Sequence, residues 1–146
     1  MKFILVDQLI SHEPGKRIVM AKNVTMAEEY LGDHFPGFPV VPGVLLTEMM
    51  AQTAGKCLDA SDSQRGKAML VQIRKASFRH WVRPDERVDI HARVTANMPE
   101  YGSAVCHVEV DGREVAGAEL MFSFLPATQL APTYRDEVLE DFFRRG

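Results

Sequence analysis

The chain has 146 residues, 46% of them hydrophobic and 25% charged, with a formal net charge of −3. That length suits one domain burying roughly two-thirds of its unfolded surface, and the composition is that of a soluble globular protein. The negative charge argues against a general nucleic-acid binder, the two cysteines form no disulfide framework or metal-ligand spacing and suit a reducing cytoplasm, and no apolar run approaches the roughly 20 residues of a membrane span.

The N-terminal run Phe3-Ile4-Leu5-Val6 is cut off by Asp7, too early for the apolar core of a signal peptide. Strand-like stretches are expected over 4–12 and 16–23, separated by the turn signal Glu13-Pro14-Gly15. Thr25-Met26-Ala27-Glu28 matches a capping box, which predicts a short helix through about Leu31. Gly32 and prolines 36, 39 and 42 then impose irregular backbone, because each proline fixes φ and removes a donor. A helix is expected from about Val44 to about Ala60. Its apolar residues (Val44, Leu45, Leu46, Met49, Met50, Ala51, Ala54, Cys57, Leu58) cover nearly the whole circumference, so it belongs inside something.

After a polar loop over 61–66, strands are expected near 69–73, 88–95, 104–110 and 114–125, the middle two alternating apolar and polar. Asp111-Gly112 is a two-residue hairpin signal. Pro126 and Pro132 bracket a loop, after which Tyr134, Val138 and Phe142, with Leu139 and Phe143 beside them, form an amphipathic stripe that needs a surface to lie on. The reading is therefore α+β, a domain over 1–126 in which an antiparallel sheet curls around one long helix. A helical tail over 127–146 packs on the same domain or on a second subunit.

Two polar groups stand out. His34 opens the segment His34-Phe35-Pro36-Gly37-Phe38-Pro39-Val40-Val41-Pro42-Gly43, whose prolines hold the backbone to few shapes. Histidine is the natural acid or base near neutral pH; a loop histidine that merely bonds a neighbouring carbonyl is the alternative. Glu48 lies in the apolar helix, one turn before Gln52, which can orient it. Burial disfavours a charged carboxylate, so a buried Glu48 is expected to act as an acid; a solvent-facing glutamate is the alternative. Gly43 begins the helix, where N–H groups lack intrahelical acceptors and the dipole is positive. A substrate carbonyl oxygen approaching that amide would be polarised, and the adjacent enolate charge stabilised. These parts suit proton abstraction beside a carbonyl. They suit nucleophilic acyl chemistry poorly, because the segment holds no Ser or Cys. His12, His80, His91 and His107 are read as surface or sheet residues rather than a metal cluster.

Residues 22–55 resemble the FabZ-type 3-hydroxyacyl-[acyl-carrier-protein] dehydratases. The likeness rests on Lys22-Asn23-Val24-Thr25, Gly32-Asp33-His34-Phe35-Pro36-Gly37, Pro39, Pro42-Gly43-Val44 and Glu48-Met49-Met50-Ala51-Gln52, with weaker matches at Phe3-Ile4-Leu5-Val6-Asp7 and Ala76-Ser77-Phe78-Arg79. It extends from residue 3 to about 125. The resemblance implies the hotdog fold, no cofactor, and dehydration of a (3R)-3-hydroxyacyl thioester to the trans-2-enoyl thioester in type II fatty acid synthesis. It casts His34 as remover of the C2 proton, Glu48 of another subunit as the group that helps expel the hydroxyl as water, and the Gly43 amide as carbonyl ligand beside Val44 and Gln52. Glu at position 48, rather than Asp, favours this type over the related dehydratase-isomerase.

A homodimer is implied, because the family completes its site across two subunits; trimers of dimers also occur there. Phe35, Phe38, Val40, Leu45, Met49 and Phe78 are candidate walls of an acyl tunnel, each of which would serve equally as core. Arg74, Lys75 and Arg79, with Arg83 and Arg87 nearby, form a candidate docking surface for the acidic carrier protein, or equally a solvated strand edge. A hotdog thioesterase and a non-catalytic acyl-binding subunit are the competing readings.

Overall fold

The computed structural model describes residues 2–145, the side chain of Ser63 excepted. Helix α1 (Gly43–Ser61) begins directly after Pro42, whose carbonyl accepts from the N–H groups of Leu45 and Leu46 at 2.9 and 3.2 Å. Leu46, Met49, Met50, Ala54, Cys57 and Leu58 are enclosed in the core. Two buried threonines also fit there, because Thr47 and Thr53 donate their hydroxyls back to the Gly43 and Met49 carbonyls. The apolar circumference is not fully enclosed, however. Val44 is 74% exposed, and Leu45 and Glu48 are half-buried.

Six strands wrap this helix: β1 (Gln8–Glu13), β2 (Arg17–Asn23), β3 (Lys67–Phe78), β4 (Arg87–Asn97), β5 (Tyr101–Val110) and β6 (Arg113–Leu125). They form one antiparallel sheet in the order β1-β2-β4-β5-β6-β3; α1 packs against β2 to β6 and reaches β1 through Cys57 Sγ, which donates to the Glu13 carbonyl at 3.6 Å. Alternation on β4, β5 and β6 sends Val88, Ile90, Ala104, Cys106, Val108, Leu120 and Phe122 towards the helix, as a sheet with one buried face requires. Asp111 and Gly112 close the β5–β6 hairpin with φ of 51° and 79°, the conformation a two-residue primed turn demands.

Three expectations shift. Leu5 and Val6 are buried but precede β1; the Leu5 N–H goes to the Gln52 side chain instead of a strand neighbour. The capping-box segment forms only a 3-10 turn over Glu29–Gly32. There the Glu28 carboxylate is drawn to Lys22 Nζ at 2.7 Å rather than reaching back to the Thr25 N–H. The tail helix α2 (Glu137–Arg145) starts three residues after Tyr134, so Tyr134 lies outside its stripe. Phe142 is 5% exposed, and the Phe143 ring sits 4.2 Å from the ring of His12 on β1.

Strand β3 occupies the end of the sheet, with β6 on one side. Met69, Leu70, Val71 and Ile73 along it are exposed. A long apolar edge of this kind is a template for pairing with another chain.

Candidate active site

His34 sits on the loop that connects the 3-10 turn to α1, and the loop holds itself by reciprocal bonds. The Val40 N–H donates to the His34 carbonyl at 2.8 Å, while Phe35 and Phe38 exchange backbone bonds at 3.1 and 2.9 Å. The imidazole stacks on Phe35, ring centroids 4.0 Å apart. Arg83 fastens the far side of the loop, donating through Nε to the Pro39 carbonyl at 3.0 Å with its guanidinium 3.9 Å from the Phe38 ring centroid.

One hydrogen bond decides what this histidine can do. His34 Nδ1 lies 2.9 Å from the Val40 carbonyl oxygen. A carbonyl only accepts, so Nδ1 carries the proton, and in the neutral ring Nε2 holds the lone pair. The bond to a neighbouring carbonyl is thus present, and it orients the ring as a base.

Beside His34 is a cavity of about 390 Å³ whose walls include Phe35, Phe38, Val40, Gly43, Phe78 and Trp81. Gly43 lies under the Phe78 ring: a Cβ there would meet three ring atoms at 3.2 Å. A side chain at position 43 would therefore press on the Phe78 ring that walls the cavity. The first N–H groups of α1, those of Gly43 and Val44, have no acceptor within their own helix. Leu45, half-buried, packs against the core and Met49 is fully enclosed in it; neither is among the residues that line the His34 cavity.

Glu48 lines a different cleft, a groove of about 260 Å³ between α1 and the start of β3. Its carboxylate accepts from Gln52 Nε2 at 3.2 Å. Gln52 also donates to the Phe3 carbonyl at 2.6 Å and accepts from the Leu5 N–H at 2.9 Å, so the N-terminal segment fixes the amide that orients the acid. Within one chain, His34 lines the one space and Glu48 the other.

Arg74 and Lys75 are exposed on β3. Arg79 is ion-paired to Glu114 and Arg87 to Asp89 at 3.0 Å, while Arg83 is committed to the His34 loop. Both cysteines are buried, and burial pushes the Cys106 thiol up to about 12 and the Cys57 thiol upward too. Neither is a ready nucleophile.

Sequence reading missed Trp81 and His80, which line the His34 cavity. The signal in the sequence was the chain's single tryptophan, three residues after Phe78; the structure leaves it 72% exposed, unusual for so large an apolar side chain. Sequence reading also treated His91 and His107 as surface or sheet residues rather than a metal cluster. The β4–β5 register sets them face to face, rings stacked 4.4 Å apart, with Glu109 beside both. This His-His-Glu grouping is of metal-ligand type but belongs to neither cleft.

A long helix held inside one antiparallel sheet of this strand order defines a hotdog-fold protein. The chain belongs to the FabA-like domain family, which matches residues 1–119. It is 38% identical over 122 residues to the 3-hydroxyacyl-[acyl-carrier-protein] dehydratase FabZ of Listeria monocytogenes serotype 4b, covering 83% of this chain and 85% of that protein. The enzyme of the same name from Ruminiclostridium cellulolyticum is 33% identical over 126 residues, covering 86% and 89%. Among solved structures, the dehydratase heterocomplex ApeI:P from Xenorhabdus doucetiae superposes with a TM-score of 0.71 at 17% identity, covering 87% of this chain and 86% of that one. The acetyl-CoA-bound smu.793 protein of Streptococcus mutans gives 0.67 at 16% identity, covering 82% and 88%. At such identities the structural likeness speaks for the fold.

Proposed function

We propose that this chain dehydrates (3R)-3-hydroxyacyl groups, carried as thioesters on acyl carrier protein, to trans-2-enoyl thioesters in fatty acid synthesis, as a cytoplasmic homodimer. The observation that carries the reading is the Nδ1–H bond from His34 to Val40, which leaves Nε2 as a fixed base on an apolar cavity. Nε2 takes the C2 proton, and the electron pair of that C–H bond becomes the C2–C3 double bond. The C3–O bond breaks as the hydroxyl takes a proton from the carboxyl group of Glu48 of the second subunit and departs as water, leaving the C2 proton on His34 and a carboxylate on Glu48. The thioester oxygen rests on the Gly43 N–H, where growing enolate charge meets the positive end of α1.

Two subunits are needed because the half-sites lie at opposite ends of one edge strand. Phe78, at the end of β3, walls the His34 cavity. Ala68, Met69 and Leu70, near its start, wall the Glu48 groove. Antiparallel pairing of β3 with a second copy brings the Phe78 end of one strand towards the Ala68–Leu70 end of the other. The His34 cavity of one subunit then meets the Glu48 groove of the other. The same pairing covers the exposed apolar side chains of β3 and leaves the cations Arg74, Lys75 and Arg79 near the joint, where an acidic carrier would dock.

Incubation with a 3-hydroxyacyl carrier protein tests the reading directly. Enoyl product is expected; free acid would indicate a thioesterase, and bound but unchanged substrate a non-catalytic acyl binder. Replacing His34 by Ala should lower the rate by about 10²–10⁴ with the fold retained. Near-normal turnover by that variant would remove His34 from the chemistry.

A further inference from the structure

The groove beside Glu48 continues along α1 for three turns, past Ala51, Gln52, Gly55 and Lys56 to Asp59. Its near part is apolar and narrow, with Ala51 and Gly55 facing Ala68, Leu70 and Phe122. A Cβ on Gly55 would already touch Phe122 and Ala68, at 3.9 and 4.0 Å. The far end is different in kind. Asp59 Oδ2 and Lys67 Nζ are 2.8 Å apart, Asp59 Oδ1 accepts from the Ala68 N–H at 2.8 Å, and Asp136 from the tail pairs with Lys67 on its other side. Lys56 completes this end, its Nζ 5.4 Å from the Phe142 ring centroid. Beyond the wall lies a second cavity, of about 470 Å³, roofed by Leu130, Tyr134 and Leu139 of the tail. Asp59 and Lys67 line both spaces.

We infer that this groove receives the acyl chain of the substrate and that the Asp59–Lys67–Asp136 bridge stops it, so that the enzyme takes short and medium acyl groups and rejects long ones. The inference rests on the dehydratase reading above. Each methylene buried in the apolar part is favourable by about 0.8 kcal/mol, whereas a methylene pressed against the ion pairs would strip water from charges with nothing to replace it. The groove volume of about 260 Å³ holds roughly nine methylene-sized groups, at about the 30 Å³ that one water occupies. Any longer chain must displace the bridge to reach the tail cavity.

Dehydration of 3-hydroxyoctanoyl and 3-hydroxyhexadecanoyl carrier protein by the wild-type chain tests the inference. The octanoyl substrate should be favoured in kcat/KM by about tenfold or more, and Lys67→Ala, which joins the two cavities, should narrow that ratio. Equal kcat/KM for the two lengths in the wild-type protein would overturn the inference whether or not the variant folds. Affinities for non-reacting acyl-pantetheine amides of the same two lengths read the groove without turnover. Absence of enoyl product at either length, with the octanoyl amide still bound about tenfold tighter, would therefore sink the dehydratase reading and keep the wall. Equal amide affinities would sink the wall.

Discussion

Lys56 shows how a single side chain sets a cost that the rest of the fold must carry. It lies on the buried half of α1, with its charge against the Phe142 ring and, among the described residues, no carboxylate within ion-pair distance. Burial brings its amine down from the ordinary lysine value to about 8, repulsion from Lys67 adds to this, and Asp136, Asp59 and Glu48 oppose it only in part. The unfolded chain holds that proton up to a pH of about 10.4. Between about 8 and about 10 the unfolded state therefore binds more protons than the folded one, and stability rises with pH. Below about 8 the penalty is present in full, on the order of 3 kcal/mol at about 1.4 kcal/mol per pH unit. Lys56→Met should thus be more stable than the wild type near neutrality, and the gap should close towards a pH of about 10. Urea unfolding of both proteins across that range checks this. A gap that stays constant with pH would mean that Lys56 is not the titrating group.

At the scale of elements, the joint between α1 and β3 is tighter than anything in the sequence announced. Gly66 precedes β3 with φ of 110°, and a Cβ on it would lie 1.9 Å from the Leu125 carbonyl oxygen. Gly66→Ala combines a forbidden backbone region with a clash against backbone that cannot rotate away, and should cost about 3 kcal/mol or more. Gly112 shares the positive φ but faces open space, so Gly112→Ala should cost only about 1–2 kcal/mol. Equal unfolding midpoints for the two variants would contradict this ranking. Helix α1 and the Asp111-Gly112 hairpin were legible beforehand because both are written locally, in helical apolar spacing and in turn chemistry. Strand β3 was legible only over residues 69–73, although it spans twelve residues. As an edge strand with both faces largely exposed it has no period of two to read. The His34 segment could be read as a site because its prolines and glycines are contiguous. The Lys56–Asp59–Lys67–Asp136 group could not, since it draws on a helix, a strand and a tail and spans 80 positions from Lys56 to Asp136. Nor could the His91–His107 pair, which exists only through strand register.

For the whole molecule, the separation of His34 from Glu48 makes a demand that a self-sufficient subunit would not. If each site takes its base from one copy and its acid from another, a pure dimer of His34→Ala subunits has no complete site, nor does a pure dimer of Glu48→Gln subunits. Two-fold symmetry makes each interface contact occur twice, so a mixed dimer places both lesions in one site and leaves the other intact. Random reassortment of equal amounts makes half of the dimers mixed, each with one working site of two, which predicts about a quarter of wild-type turnover. The measurement is turnover after the two inactive variants are unfolded together and refolded, compared with each refolded alone. Interrupting the edge by Val71→Pro removes a backbone donor from β3 and should abolish the recovery along with the dimer, as light scattering on a sizing column would record. Recovered activity can arise only if the imidazole and the carboxyl group act from different chains. A refolded mixture no more active than its parents, though dimeric, would place both groups in one subunit and end the shared-site mechanism.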